Sequence, residues 1–305
     1  MSRGADVSFC MIVRDGAATL PACLQSVAGI ADELIVVDTG SRDDSPEIAR
    51  SFGATVLRVR WPDDFSAARN VYLEHARCRW VLSLDADETL GRIDKDEFAG
   101  ALQRHPATAF IFSIRNEFPA GEIPEPTLPS RWRREARGGP SFVVTRTVRL
   151  FPRVPGMHYR YPVHESLLPA IKGAGLRVRH CAIPIRHSGY LNTAASSHAK
   201  LALYRMLGEK KVAAFPTYFP GYVELGQIYL HAGELDDAAR MFMQAIRLST
   251  RCVEAHYFLA ITLQRLGRHA ECQRLLRAAR LRFPFNRDIR FLIDRVRRQA
   301  AGSSS

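Results

Sequence analysis

Acidic residues directly follow two apolar segments that are typical of buried β-strands. Asp38 follows Ile35-Val36-Val37, and Asp85-Ala86-Asp87 follows Val81-Leu82-Ser83-Leu84. Carboxylates two positions apart at a strand end can both reach one divalent cation, and hard oxygen ligands suit Mg²⁺ or Mn²⁺ bridging phosphates. A triplet of this kind without other signals would be explained by a solvated turn. The surrounding elements therefore decide between a metal site and a solvated turn.

Short apolar segments alternate with helical patterns between residues 7 and 90. Strands are predicted at Phe9–Val13, Glu33–Val37, Thr55–Val59 and Trp80–Leu84. The helices between them are predicted at Thr19–Val27, after Ser45 as the cap with Pro46 at the first position, and at Ser66–Ala76. This alternation indicates an α/β fold with right-handed crossovers and a mainly parallel sheet. Ligands of such sheets bind outside the carboxyl ends of the strands, so Asp38 and Asp85 should lie at the same edge.

The segment over residues 115–141 is rich in proline, glycine and arginine. This composition predicts a long loop, and long loops inside compact domains often form lids over a site. Trp132 among the arginines is compatible with a lid over phosphate, with an RNA-facing loop and with a solvated segment. Further strands are predicted at Phe110–Ile114, Phe142–Phe151 and Ala182–Ile185.

An internal repeat follows Ser196. Superposing residues 34 apart pairs small with small and apolar with apolar positions: Gly226 with Ala260, Tyr229 with Leu263, Gly233 with Gly267, Ala238 with Cys272, Phe242 with Leu276, and Ala245 with Ala279. A helix–turn–helix of this length resembles a tetratricopeptide repeat, and a helical bundle with a coincidental period is the alternative. We therefore predict a first domain over residues 1–195, an all-α repeat domain over 196–300 and a flexible tail over 301–305.

The composition excludes several classes of protein. The 305 residues are 47% hydrophobic and 24% charged, which is too apolar for general disorder. No apolar run approaches the roughly 18–20 residues of a membrane-spanning helix, and Met1–Val7 lacks an apolar signal core. The six cysteines include no Cys-x-x-Cys pair. A reducing, cytoplasmic compartment is therefore expected.

Most of the net charge of +12 lies in the repeats, where residues from Ser196 onward include 18 Lys or Arg and 9 Asp or Glu. Such an excess suits nucleic acid, an anionic membrane surface, an acidic partner or a solvated helix face. The chain has no zinc pattern, RNA-recognition strand motif or glycine-rich phosphate loop. Nucleic acid is therefore not expected as a partner.

Four motifs in a fixed order carry a family resemblance: Ser8–Val13, Val36–Ser41, Asp63–Asn70 and Trp80–Glu88. Over residues 7 to about 190 the series resembles the family-2 glycosyltransferases, which have the GT-A (Rossmann-like) nucleotide-sugar-binding fold. It is similar to the bacterial branch in which tetratricopeptide repeats follow, a branch that includes peptide S-glycosyltransferases. The resemblance implies an inverting transfer of a sugar from a nucleotide diphosphate donor, usually a UDP-sugar, to a nucleophilic acceptor.

The resemblance also implies roles for four residues near the strand ends. Asp38 would hydrogen-bond the base or ribose of the donor, and Arg69 would contact the base or diphosphate. Asp85 and Asp87 would form the metal-binding pair, with Asp87 the direct ligand of Mn²⁺ or Mg²⁺ and Asp85 nearer the ribose or the metal's waters. The metal would neutralise the departing diphosphate. A turn-capping role for Asp38 and a surface ion pair for Arg69 are the structural alternatives.

Two more candidate residues lie in the second half of the matched region. An inverting transfer needs a base opposite the leaving group, and the family usually places an acid there. This implies Glu165 as the base, with His164 able to position it and a structural salt bridge as the alternative. Some GT-A enzymes take a third metal ligand from a C-terminal histidine, which implies His187; a structural role and a diphosphate contact are the alternatives. A thiol acceptor would need less help from a base, because it ionises nearer neutral pH.

The chain departs from the family pattern at two places. Many relatives have a second acid after Asp38, where this chain has Thr39, and the first strand ends in Arg14 and Asp15 instead of the usual hydroxyl. These departures put in question which nucleotide base the donor site selects. Trp61 is expected to pack beneath the donor site or to touch the sugar.

The sequence leaves three hypotheses about function. The first is a metal-dependent glycosyltransferase whose repeats dock an acceptor glycan, lipid or peptide, or a protein partner. The second is a non-catalytic, repeat-based adaptor with a degenerate GT-A domain, and the intact Asp85, Asp87 and Arg69 argue against it. The third is a nucleic-acid binder, which only the charge supports.

Overall fold

The computed structural model describes residues 6–118, 133–134, 141–189 and 197–302. The chain divides into two compact units, one of Met1–Ile123 with Arg134–Thr193 and one of Pro124–Arg133 with Ala194–Ser305. The boundary after residue 195 stays a prediction. Trp132 lies outside the described residues, as does most of the predicted lid.

In the described residues, the first unit is an α/β domain on a single nine-stranded sheet. Its strands are β1 (Val7–Val13), β2 (Glu33–Asp38), β3 (Thr55–Arg58), β4 (Trp80–Ser83), β5 (Glu88–Leu90), β6 (Thr108–Phe118), β7 (Arg133–Arg134), β8 (Ser141–Pro152) and β9 (Arg177–His187). Its helices are α1 (Leu20–Val27), α2 (Ser45–Ser51), α3 (Phe65–His75), α4 (Lys95–Arg104) and α5 (Leu168–Gly173). This architecture confirms the predicted fold class.

The strand order is β3-β2-β1-β4-β8-β6-β9-β5, with β7 paired to β8. The half formed by β3, β2, β1 and β4 is parallel, as the strand–helix alternation predicts. The other half is mixed: β8 runs antiparallel to both β4 and β6, β6 and β9 are parallel, and β5 and β9 are antiparallel. The parallel half therefore brings the carboxyl ends of β1, β2 and β4 to one edge.

Side chains of the central strands alternate between two hydrophobic cores. Val36 packs in the core that contains the buried side chains of α1, whereas Ile35 and Val37 pack in the core that contains Tyr72 of α3. Because alternate residues of a strand point to opposite faces, the sheet is covered on both sides. This leaves the strand ends, rather than the strand faces, to form a site.

Two predicted boundaries are wrong. Strand β6 continues to Phe118, although the polar run that starts at Arg115 predicts a loop, because Asn116 and Glu117 are buried with polar partners in the sheet. Helix α2 begins at Ser45, with Asp44 in the N-cap position, and the Ser45 hydroxyl binds Asp43 instead.

The second unit is all-α over its described residues from Ser197 onward. Its helices are α6 (Ser197–Ala214), α7 (Phe219–Ala232), α8 (Leu235–Leu248), α9 (Val253–Arg265), α10 (His269–Arg282) and α11 (Arg287–Gly302). The pair α7–α8 and the pair α9–α10 begin 34 residues apart, which confirms the predicted period. Gly233 and Gly267 both have positive φ, +81° and +71°, because a left-handed residue ends the first helix of each pair.

The first repeat has a close helix–helix contact at Gly226. A Cβ built there would lie 2.6 Å from Cε1 of Phe242, a fully buried ring. We expect Gly226→Ala to destabilise the repeats by about 1 kcal/mol, because overpacking costs about 1–3 kcal/mol and alanine's helix propensity returns at most about 1 kcal/mol. Gly221→Ala is the matched control, since its Cβ would meet Val212 at an ordinary 3.5 Å. Urea unfolding measures both variants, and equal stability of the two would contradict this packing argument.

Within the residues that the structure describes, no helix is both long enough and apolar enough to cross a membrane.

Candidate active site

Asp38 lies at the carboxyl end of β2 and is buried, with 3% of its surface exposed. Its Oδ1 accepts a hydrogen bond from the backbone N–H of Ser41 at 2.9 Å, and its Oδ2 lies 3.9 Å from the exposed guanidinium of Arg58. Thr39 turns inward, since its hydroxyl donates to the carbonyl oxygen of Val13 at 3.1 Å. Asp38 is therefore the buried acid at the end of this strand, and its contact with a ligand stays a prediction.

The loops that follow β1 and β2 are tied together by hydrogen bonds. The backbone N–H of Asp15 donates to the hydroxyl of Ser41, and the backbone N–H of Arg42 donates to the Asp15 carboxylate at 2.7 Å. The backbone N–H of Gly16 donates to the hydroxyl of Ser45. Asp15 thus joins the loop after β1 to the loop after β2. Its neighbour Arg14 is exposed.

Two guanidinium groups hold Asp85, which follows β4. Arg69 Nη2 lies 2.5 Å from Asp85 Oδ1, and Arg149 Nη2 lies 2.9 Å from Asp85 Oδ2. Burial alone would raise the pKa of the Asp85 carboxyl, but the two guanidiniums outweigh burial and hold this pKa well below its usual range. Both oxygens of Asp85 therefore have a cationic partner in the protein.

Arg69 joins Asp85 to Glu165. Its Nε donates to Glu165 Oε1 at 2.5 Å, and its Nη1 donates to the hydroxyl of Ser83. Arg69 is only 4% exposed, and its guanidinium lies 5.6 Å from the ring centroid of Tyr159. Because Nε, Nη1 and Nη2 each have a partner within the protein, Arg69 holds the two acids in position; its contact with the donor stays a prediction.

The loop that carries Glu165 is fixed to α3 by Asn70. The Asn70 amide donates to the carbonyl oxygen of Tyr159 at 3.1 Å and accepts from the Tyr159 backbone N–H at 2.8 Å. Farther along the loop, the backbones of Arg160 and Ser166 exchange two hydrogen bonds. Adjacent residues of one helix, Arg69 and Asn70, thus fix the Glu165 carboxylate and its loop; His164 is exposed, with φ +47°.

Arg149 also binds a buried acid that the sequence analysis missed. Its Nη2 lies 2.6 Å from Glu88 Oε1, and Glu88 Oε2 accepts the backbone N–H of Asp85. Burial raises the pKa of Glu88 to about 7. Arg149 Nε has no hydrogen-bond partner among the described residues. The sequence signal for this cluster is a charged residue inside the apolar strand around Leu150, since such a residue requires a buried partner.

Asp87 and His187 face each other beside this cluster. Asp87 Oδ2 lies 3.1 Å from His187 Nε2, and the two side chains are 35% and 19% exposed. Burial lowers the pKa of His187, but the hydrogen bond to Asp87 and its charge outweigh burial and raise this pKa above its ordinary value. The ring Nδ1 of His187 contacts Asn116 Oδ1 at 2.8 Å. The structure therefore brings together two of the three predicted metal-binding residues.

The residues around Asp87 can supply some, but not all, of the ligands of a divalent cation. In the described part of the chain, no group of three or more His, Cys, Asp or Glu side chains is arranged to hold a metal ion. Asp87 and His187 supply one carboxylate oxygen and one imidazole nitrogen. A Mg²⁺-type site commonly uses one or two protein ligands and completes its shell with substrate phosphates and water. The pair therefore fits a cation that is shared with a diphosphate, and not one that the protein holds alone.

Trp61 lies just before α3 and packs edge-on against Phe65, with ring centroids 4.8 Å apart. This contact gives Trp61 a packing partner, and its place relative to the donor stays a prediction.

The described residues form an α/β domain with acidic side chains at its parallel strand ends, followed by helical repeats, and comparisons with known proteins give the family. Residues 8–154 match the model of glycosyl transferase family 2, and residues 229–293 match the tetratricopeptide repeat model. The chain therefore contains a family-2 glycosyltransferase domain followed by tetratricopeptide repeats.

Individual relatives share this arrangement in part. A TPR repeat-containing protein of Synechococcus elongatus is 36% identical over 249 residues, which cover 80% of this chain and 57% of that protein. The glycosyltransferase SunS of Bacillus subtilis is 33% identical over 91 residues, 29% of this chain and 22% of SunS. A crystal structure of S. aureus TarS aligns over 88% of this chain and 54% of that one, with a TM-score of 0.48 and 12% identity. The chain thus spans only part of the length of the curated relatives that it matches.

Proposed function

We propose that this chain is an inverting, metal-dependent hexosyltransferase that moves a sugar from a UDP-sugar to a glycan, lipid or peptide acceptor. One observation carries the proposal: a carboxylate–imidazole pair and a fixed, part-buried carboxylate lie around the same strand ends. The pair is Asp87 with His187, and the fixed carboxylate is Glu165. The family match of residues 8–154 supports the reaction class.

The donor is bound at the carboxyl ends of β1, β2 and β4. Asp38 accepts a hydrogen bond from the base or ribose; among the described residues, the partner of its Oδ2 is the exposed guanidinium of Arg58, at 3.9 Å. Asp87 and His187 hold Mn²⁺ or Mg²⁺, which when bound stabilises the negative charge of the diphosphate leaving group. Asp85 acts by keeping Arg69 and Arg149 in place beside them.

Glu165 removes the proton of the acceptor as it attacks the sugar. Arg69 Nε donates a hydrogen bond to Glu165 Oε1 at 2.5 Å and so holds this carboxylate in place to take the proton. The hydrogen bonds of Asn70 to the loop limit the freedom of this base before the acceptor arrives. Proximity of base and donor at a defined geometry then lowers the barrier for attack.

The repeats are the part of the chain that docks an acceptor or a protein partner. Stacked helical pairs form extended surfaces that bind extended chains, and the basic excess of this region favours an acidic one. A repeat-based adaptor without catalysis is the second candidate, and the tetratricopeptide repeat match favours it.

Nucleotide binding and donor turnover test the proposal together. Thermal unfolding of the purified chain is measured with UDP, GDP, dTDP and CDP, each with and without Mn²⁺, and UDP release from UDP-sugars is then followed. Ligand at about 100 times its dissociation constant stabilises the folded state by about 2.7 kcal/mol. We expect a metal-dependent shift with UDP and slow UDP release. A chain that responds to no nucleotide and releases no UDP would leave the adaptor as the function.

A further inference from the structure

A cavity of about 750 Å³ lies between helix α4 and strand β9 of the first unit. Strand β9 pairs with β5 from Ile185 to His187, so its residues 179–184, which line the cavity, form an edge of the described sheet. Cavities of about 300–1,000 Å³ are those in which proteins bind small ligands. The space beside this edge is therefore large enough for a ligand.

The middle of the cavity is apolar and elongated. Its lining includes side chains that also belong to the hydrophobic core under α4, namely Phe98, Leu102, Phe110, Leu150 and Ile183. Along α4 the lining runs from Asp94, before the helix, to His105, after it, and a helix rises about 16 Å over this length. An extended apolar chain has the matching shape.

One end of the cavity is cationic. Arg179 contacts an imidazole there, not a carboxylate: its Nη1 lies 2.7 Å from His105 Nε2 and 3.2 Å from His105 Nδ1. Burial, and then the charges of Arg179, Arg104 and Arg177, lower the pKa of His105. An imidazole that three guanidiniums make harder to protonate lies in a positive potential, and such a potential attracts anions.

The acids that line the cavity lie at its other end. Asp94 caps α4, since its Oδ1 accepts the backbone N–H of Glu97 at 2.9 Å. Arg92 lines the same end as Asp94 and Glu97. These acids therefore have nearby positive groups of their own, and they are separated from Arg179 by the length of the helix.

The cationic end is far from the candidate active site. Arg179 and His187 lie on the same strand, and eight residues of strand span about 26 Å. An anion beside Arg179 can therefore be neither the diphosphate of the donor nor the group that attacks the sugar. The cavity is a separate site.

We propose that this cavity binds a single-chain anionic amphiphile, such as a fatty acid or a lysophospholipid, with its apolar chain along α4 and its carboxylate or phosphate beside Arg179. The inference goes beyond the proposed glycosyl transfer. It does not depend on that proposal, because none of the residues assigned there to the donor, the metal or the base lines the cavity.

Three probes separate the contributions of the chain and of the charge. Dodecyl phosphate has both, dodecanol has the chain alone, and inorganic phosphate has the charge alone. Isothermal titration calorimetry of the purified chain, below the concentration at which dodecyl phosphate forms micelles, measures each dissociation constant. We expect dodecyl phosphate to bind about 10-fold or more tightly than either of the others, since a hydrogen bond to a charged group contributes that much to binding.

Two variants with matched controls place the ligand in the cavity. Arg179→Gln removes the cation, and Arg247→Gln removes the same charge from an exposed position of α8. Ala101→Phe fills the cavity from α4, and Gln103→Phe adds the same ring at an exposed position of that helix that does not line the cavity. Arg179→Gln and Ala101→Phe should each weaken dodecyl phosphate binding about 10-fold or more, and the two controls should stay within about twofold of wild type.

Three results would overturn the inference. The first is a wild-type chain that does not bind dodecyl phosphate, and the second is one that binds dodecanol or inorganic phosphate as tightly. The third is unchanged affinity in Arg179→Gln, a variant of an exposed residue whose folding is not at risk even if Ala101→Phe fails to fold.

Discussion

Glu165→Gln is expected to lower kcat for release of UDP from the UDP-sugar by about 10²–10⁴-fold, with acceptor or water as the nucleophile. The amide has the size of the carboxylate but cannot take a proton, so the loss falls on the chemical step. Its oxygen can still accept the hydrogen bond from Arg69 Nε, so the site should keep its shape. Steady-state kinetics and a separate UDP titration measure the two effects.

The neighbouring His164 provides the control for Glu165. It is exposed, and His164→Gln should leave kcat within about threefold of wild type, since the proposal gives the proton transfer to the Glu165 carboxylate and not to its neighbour. Equal losses of UDP binding and of turnover in Glu165→Gln would contradict the assignment of Glu165 as the base and make it part of the donor site. A much smaller loss of kcat would indicate an acceptor, such as a thiol, that needs little help in losing its proton.

Local patterns in the sequence predict the frame of the site. Apolar runs that end in an acid place Asp38 and Asp85 at the carboxyl ends of β2 and β4, and the structure has them there. The 34-residue period likewise predicts the helix pairs of the second unit, because small residues recur at the same positions of each repeat, where its helices touch. Both predictions depend on neighbours within one element or one repeat.

The partners inside the site could not be predicted, because they are distant in sequence. Arg149 reaches Asp85 across 64 residues and Asn116 reaches His187 across 71. Asn116 also lies in a polar run that has the pattern of a loop, and only pairing with β8 and β9 makes it part of a strand. Sequence alone therefore gives Asp85 and Asp87 the same role, whereas their contacts in the folded domain differ.

Paired Asp→Asn variants exploit that difference. Asp87→Asn should lower UDP-sugar turnover by about 10²–10³-fold, because it removes the charged ligand of the cation that stabilises the leaving group. Its side chain is 35% exposed, so the unfolding temperature should change little. The Mn²⁺-dependent part of UDP binding should disappear. UDP-induced thermal shifts with and without Mn²⁺, together with UDP-release kinetics, measure these effects.

Asp85→Asn should give the opposite pattern. It removes the one carboxylate that pairs with both of the buried guanidiniums, Arg69 and Arg149, and leaves Glu165 and Glu88 as their remaining acidic partners. Breaking part of a buried ion-pair network is destabilising. We therefore expect a lower unfolding temperature in the absence of ligand, while any remaining UDP binding still responds to Mn²⁺. If both variants lost the Mn²⁺ response and kept wild-type stability, the two acids would act as an equivalent metal-binding pair. Only the contrast between the variants supports Asp87 as the metal ligand and Asp85 as the residue that holds the two arginines in place.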